Sequence, residues 1–277
     1  MIIDTHTHFY DPNRPEHHWP PEGSDLYWTC LPERYKALAE PEGVTGTVVV
    51  EASPQLVDNE WILSLAEEDP FLKGFVGNIP LGSDDFDTSL GKLAGNPLFV
   101  GMRSNWGETG QLLQQDKVDD IKKLRDRDLE LDLLCGVEAI QGLPELIEKV
   151  PGLRVVINHL GAVRINGIDP PAEEWVEAVK GVSDLDTVYM KVSALVENNQ
   201  KEENGNLADY LPVLDCIWEN FGEDRVIYGS NWPVSARFAD YSVVQRLPTE
   251  YLQGKSDEAS RKYFFENSKA AYKWPDR

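Results

Sequence analysis

Basic residues are scarce in this chain: 26 Lys and Arg stand against 48 Asp and Glu, a formal net charge of −22. A surface of that sign repels nucleic acid and anionic membranes, which excludes both as natural partners. Cysteine is nearly absent, with Cys30, Cys135 and Cys216 widely spaced and none in a CxxC pair. That rules out a disulfide framework and suits reduced thiols in a cytoplasmic protein. No apolar run approaches the roughly 20 residues of a membrane span. The opening Met1-Ile2-Ile3-Asp4 lacks the basic and apolar regions of a secretion signal. Linkers and low-complexity tracts are missing too, so the 277 residues are expected to form one domain, 1–277, with a small-molecule substrate rather than a macromolecular one. A homo-oligomer is compatible with the sequence, which does not specify one.

What the chain does have is eight short β-branched and apolar runs. They lie at Ile2–Thr5, Gly46–Val50, Gly74–Gly77, Leu98–Met102, Leu129–Leu134, Leu153–Ile157, Thr187–Met190 and Arg225–Gly229. Their starts average roughly 32 residues apart, the length of a βα unit. Near-continuous apolar runs suit strands buried on both faces. Amphipathic stripes fill several gaps: Trp61, Ile62, Leu65 and Ala66; Val118, Ile121 and Leu124; Trp175, Val176 and Val179; and Tyr210, Leu211, Leu214, Ile217 and Trp218. Asp257 to Tyr272 reads as a closing helix, whereas the patterns between strands three and four and around Asn198 to Asn206 are weak. Eight strands alternating with helices predict an α/β fold, a (β/α)8 TIM barrel.

In such a barrel the active site lies at the carboxyl ends of the strands. The first strand runs into Asp4-Thr5-His6-Thr7-His8, and side chains two apart share a face, so His6 and His8 project together into the barrel mouth. Two neutral imidazoles there make half of a metal site or a proton-transfer pair. His159 ends the sixth run. Arg103 and Asn105 follow the fourth, Glu51 the second, Lys191 lies on the seventh and Asn231 follows the eighth. Arg103 suits the anchoring of a carboxylate or polyhydroxylated substrate, and Lys191 the neutralisation of an oxyanion. The alternative for each is a buried ion pair with Glu51 or another acid. Trp19, Trp28, Trp106 and Trp232 fall in post-strand segments, where they form either a platform for a sugar-like ring or loop packing.

Together the segments IIDTHTHFYDP, GVTGTVVVEAS, FVGMRSN, VVINHLG, VYMKVSAL, RVIYGSNWPVS and FFENSKAAY resemble, in order and over essentially the whole chain, the amidohydrolase superfamily. The resemblance is to its branch of lactonases acting on sugar lactones and pyrone dicarboxylate lactone. It implies a barrel hydrolase of cyclic esters, with His6, His8 and His159 at active-site positions, Arg103 at a substrate-contacting one and Lys191 at a lysine often found on the seventh strand. Two departures stand out. The eighth strand usually offers Gly-Ser-Asp-Trp-Pro, but here reads Gly229-Ser230-Asn231-Trp232-Pro233, and an amide takes no proton near neutral pH. The fifth presents Cys135 where metal-dependent members often place a histidine. A mononuclear site on His6, His8 and His159 with one divalent ion, zinc first, and a metal-free site both remain open.

The expected activity is therefore hydrolysis of a small lactone. His6, His8, His159, Lys191 and Asn231 would be catalytic, and Arg103, Asn105, Trp19 and Trp232 would contact substrate. Lactone isomerisation, metal-assisted decarboxylation, and a binding barrel impaired by Asn231 are the alternatives.

Overall fold

The computed structural model describes every residue except Ile168. Eight parallel strands stand side by side in chain order: β1 (Ile2–Thr7), β2 (Val44–Val50), β3 (Leu72–Gly77), β4 (Phe99–Asn105), β5 (Glu130–Leu134), β6 (Val155–Ile157), β7 (Val188–Val192) and β8 (Val226–Tyr228). Each grows from one of the eight apolar runs. The sheet closes between β8 and β1, where Thr7 and Trp232 form a parallel bridge and the His8 amide donates to the Trp232 carbonyl at 2.9 Å. The Thr5 hydroxyl adds a bond to the Tyr228 carbonyl. The fold is the TIM barrel that the eight-unit pattern predicts.

Alternation along the strands sorts side chains into two cores. Val49, Leu131, Leu133, Val155, Ile157, Met190 and Val226 join the layer between strands and surrounding helices. Their neighbours Val48, Val50, Val156 and Ile227 fill the inside of the cylinder with Ile3, Val76 and Val100. The predicted helices occupy Leu56–Glu68, Asp119–Asp126, Glu173–Gly181 and Leu211–Phe221. The weakly patterned stretch between β3 and β4 is also helical, at Phe86–Leu93. The expected closing helix is two α segments, Asp257–Arg261 and Asn267–Tyr272, joined by a π-helical turn. Beyond that turn Ala271, Tyr272 and Trp274 enter the interior cluster, so the chain's last elements plug the end of the barrel where the strands begin. Among the described residues no helix is long and apolar enough to cross a membrane.

Candidate active site

A cavity of about 440 Å³ opens at the carboxyl ends of the strands, and His8, Trp19, Glu51, Arg103, His159 and Asn231 are among the residues lining it. His6 lies just beneath. Its ring centroid is 5.0 Å from that of His8 and 4.5 Å from that of His159. Imidazoles from β1 and β6 thus meet in one place.

A register shift between Asp4 and Thr7 makes this meeting possible on the β1 side. Asp4 points away from the barrel axis, accepting from the Tyr35 hydroxyl at 2.6 Å and from the Ser230 amide at 2.8 Å. His6 turns inward. Its Nδ1 lies 3.3 Å from Lys191 Nζ, and Lys191, fully buried, pairs with Asp132 at 2.7 Å. Tyr272 donates to the other Asp132 oxygen at 2.9 Å. An ammonium offers only donors, so His6 accepts at Nδ1 and carries its proton on Nε2. That Nε2 is buried and has no partner among the described residues. His8 has the opposite tautomer: its Nδ1 contacts the carbonyls of Val50 at 2.9 Å and Glu51 at 3.0 Å, which only accept. The His8 Nε2 lone pair is left free. His159 Nδ1 meets the Ser193 hydroxyl at 2.8 Å.

Burial and nearby cations keep all three rings neutral. Desolvation, then Arg103, lowers His8 to about 3. Desolvation followed by Lys191 holds His6 well below the ordinary histidine range, and desolvation followed by Arg103 does the same to His159. Desolvation also pulls Lys191 below the usual lysine value, against the pull of Asp132.

The rim is built from backbone that ordinary residues rarely adopt. His159, Leu160, Gly161 and Ala162 all have positive φ, between 54° and 63°. Ala194 after β7 (φ 54°) and Asn231 after β8 (φ 61°) repeat this left-handed conformation. Such geometry costs on the order of 1 kcal/mol or more per residue and concentrates at functional sites. Three successive strands therefore end in left-handed turns, and those after β6 and β8 carry His159 and Asn231 into the cavity wall. Asn231 donates through Nδ2 to Glu197 Oε1 at 2.8 Å.

Two expected substrate contacts lie elsewhere. Asn105 ends β4 and its side chain accepts from the Glu108 amide at 3.1 Å, capping the helix Trp106–Gln114 and bordering a separate depression. Trp232 is almost wholly buried, its ring 5.2 Å from Tyr35 and 6.0 Å from Trp28, so it is core packing behind the site. Lys191 does not border the cavity but supports His6 from below. Trp19 does border it, 5.7 Å from His8. Arg103 faces it too, with Nε 3.6 Å from Glu51 Oε1, so the ion-pair alternative and a place in the wall coexist. Sequence reasoning missed Ser193, Asp132 and Glu197. An acid directly after the apolar Leu195-Val196 pair, just past β7, was the available signal for Glu197.

The donor set does not suit a metal as it stands. Among the described residues no three His, Cys, Asp or Glu side chains gather as a cation's ligands would. His6 presents an N–H at its unpartnered nitrogen, β8 supplies an amide, and Cys135 is buried with its thiol pushed up to about 12 by desolvation.

Residues 3–274 match the protein family described as Amidohydrolase. The chain is similar to an L-fucono-1,5-lactonase of Burkholderia ambifaria, 29% identical over 249 residues, 86% of this chain and 83% of that one. Among solved structures, an amidohydrolase from Burkholderia multivorans with bound zinc superposes with a TM-score of 0.87 at 21% identity, covering 99% of this chain and all of that one. A probable 2-pyrone-4,6-dicarboxylic acid hydrolase from Acinetobacter baumannii, with citric acid bound, gives 0.72 at 17% identity and covers 99% of both chains.

Proposed function

This chain belongs to the Amidohydrolase family, and on that premise we propose that it is a hydrolase opening a sugar-acid lactone. The observation that carries the reading is the convergence of His6, His8 and His159 with Arg103 around one cavity at the carboxyl rim of the barrel. The lactonase name of the Burkholderia ambifaria relative supports the substrate class.

The tautomers divide the work. His8, with Nδ1–H fixed on two carbonyls, offers its Nε2 lone pair to an attacking water. His6 offers its Nε2–H, with the Lys191 ammonium behind it, to the oxygen that becomes negative as the carbonyl carbon turns tetrahedral. Lys191 thereby acts on the oxyanion through His6 rather than by contact. Water oxygen bonds to the carbonyl carbon, the ring C–O bond breaks, and the proton taken from water ends on the departing ring oxygen. Arg103 anchors hydroxyl or carboxylate groups of the substrate, and Trp19 gives a ring face beside His8. Every residue in this scheme comes from one chain, 1–277 acting as one domain, so no second copy is needed. No step is routed through a metal. Free thiols at Cys30, Cys135 and Cys216 support a reducing, cytoplasmic setting.

The test is turnover of a panel of sugar-acid γ- and δ-lactones by chelator-treated protein, with products read by NMR and mass spectrometry in 18O-water. A hydroxy acid that gains one labelled oxygen, at a rate the chelator leaves within about twofold, is the expected result. Products of unchanged mass would make the protein an isomerase, and loss of carbon dioxide a decarboxylase. Absence of turnover on every lactone, with or without added divalent ions, would sink the hydrolase reading.

A further inference from the structure

Glu197 is a half-buried acid whose enclosed carboxyl has an incomplete set of partners among the described residues. It lies on the short helix Leu195–Asn198 that follows β7, and the left-handed Ala194 starts that helix. One carboxyl oxygen accepts from Asn231 Nδ2 at 2.8 Å, while the other, Oε2, is buried without a partner among the described residues. No cation contributes to its environment among the described residues. Its own backbone amide and the Asn231 amide are the groups that stabilise its charge, and Tyr210 is its titratable neighbour. The next residue, Asn198, donates to the His159 carbonyl at 3.1 Å. This one turn of helix therefore braces both His159 and Asn231.

The chemistry of the pair fixes the amide's orientation. A carboxylate only accepts, so it holds the NH2 end of Asn231. The carbonyl end, Oδ1, must then face the other way, toward the cavity that Asn231 lines with His8 and His159. Asn231 raises His8 against the effect of burial, as an acceptor end turned toward that ring would. We propose that Glu197 is a positioning residue of the lactone site: its carboxylate holds Asn231 so that Oδ1 aligns the attacking water and receives the proton-bearing His8. An acid absent from the end of β8 is thus present on the helix after β7, with the Asn231 amide set between it and the reaction.

This rests on the lactonase reading and adds a pH dependence to it. Burial raises Glu197 to about 7, so the carboxylate that enforces the orientation is lost on mild acidification. A protonated carboxyl both donates and accepts, and no longer dictates which end of the amide it holds. Activity is expected to fall as pH drops through about 7.

The test compares parent, Glu197→Gln, Glu197→Ala and Asn231→Ala by pH–rate profile. In parallel, the side-chain 15N resonance of Asn231 is followed through a titration without substrate. In the parent, the Asn231 signal should titrate near 7 with the acid limb of kcat. Glu197→Ala should cost about tenfold to a hundredfold in kcat, the size of one buried hydrogen bond to a charged group, with KM within about twofold. Adding it to Asn231→Ala should cost little more. Glu197→Gln, which like the protonated acid both donates and accepts, should hold kcat near the parent's low-pH level at every pH and so lose the acid limb.

A Gln variant with the parent's acid limb, or an Asn231 signal indifferent to pH between about 5 and 9, would overturn the proposal. So would an Ala variant altered in stability alone. If no lactone is turned over, the lactonase reading falls by itself, and the amide titration alone upholds or rejects the Glu197–Asn231 coupling.

Discussion

At the scale of the residue, the site is a set of groups buried against their chemical preference. Glu197 carries a stability consequence separate from catalysis. Its carboxyl is raised from 4.5 to about 7 in the folded chain, so between those values the unfolded state releases its proton first. Stability therefore declines as pH rises from 4.5 to about 7 and is constant above, by up to roughly 3 kcal/mol at 1.36 kcal/mol per pKa unit. Glu197→Gln removes that slope. It should be more stable than the parent at about pH 8 and nearly equal at about pH 4.5, as chemical denaturation at several pH values would report. A Gln variant less stable than the parent at alkaline pH would contradict the account.

Lys191 makes the reverse case, because its partner is present. Lys191→Met leaves Asp132 buried with Tyr272 as its remaining donor, and losing one side of such a pair costs about 3–5 kcal/mol. The same change frees His6 Nδ1 to carry the proton, so the protein that remains folded should lose activity as well, and both effects are read from one purified variant. The sequence showed the ring-bearing residues because they end apolar runs. It hid the acids that orient them, since Asp132 sits inside a run read as strand and Glu197 in a stretch to which no element was assigned. Asn105 was misplaced although a signal was present: Asn105-Trp106-Gly107-Glu108 has the spacing of a helix capping box.

At the scale of the element, what was legible is the period and what was not is the turn. All eight strands follow from β-branched or apolar runs, whose side chains demand burial on both faces. Nothing in Asn158-His159-Leu160-Gly161-Ala162 announces four consecutive left-handed residues, because only one of the four is glycine. Tertiary contacts hold them: the His159 amide donates to Ser193 Oγ at 3.2 Å, and Trp175 Nε1 donates to the Leu160 carbonyl at 2.9 Å. Gly161 is the point where a side chain in this turn would displace a neighbour. A Cβ there would lie 2.4 Å from Ile140 Cδ1 at a φ of 63°. Gly161→Ala should destabilise by about 1–3 kcal/mol and, by moving the turn that carries His159, reduce kcat in the folded population. Thermal unfolding and single-turnover assays on one preparation would check this, and a variant of parental activity would show that His159 is held independently of its turn.

At the scale of the whole molecule, the barrel separates stability from chemistry along its axis. Histidines, Arg103 and the strained turns stand at the carboxyl rim, whereas the opposite end is filled by the chain's own last residues. Tyr272 and Trp274 are almost fully buried inside the ring of Ile3, Val48, Val76 and Val100. Glu130 lies on the same inner face, against Gly101, where a Cβ would come within 2.2 Å of its carboxyl. Burial and the adjacent Asp132 raise Glu130 well above the usual glutamate range. The Tyr272 hydroxyl reaching Asp132 is the physical link between plug and site, running on through Lys191 to His6. Two substitutions in the plug then have different consequences. Trp274→Ala removes a buried aromatic that touches none of these groups, so it should cost about 3–5 kcal/mol and leave kcat of the folded protein unchanged. Tyr272→Phe keeps the packing and removes one donor from Asp132, which strengthens that carboxylate's hold on Lys191 and loosens the ammonium from His6. It should cost only about 1–2 kcal/mol but lower kcat, since the His6 tautomer is then less firmly imposed. Denaturation midpoints set beside kcat for the two variants separate the roles, and the chain of contacts would be refuted by a Tyr272→Phe enzyme with full activity.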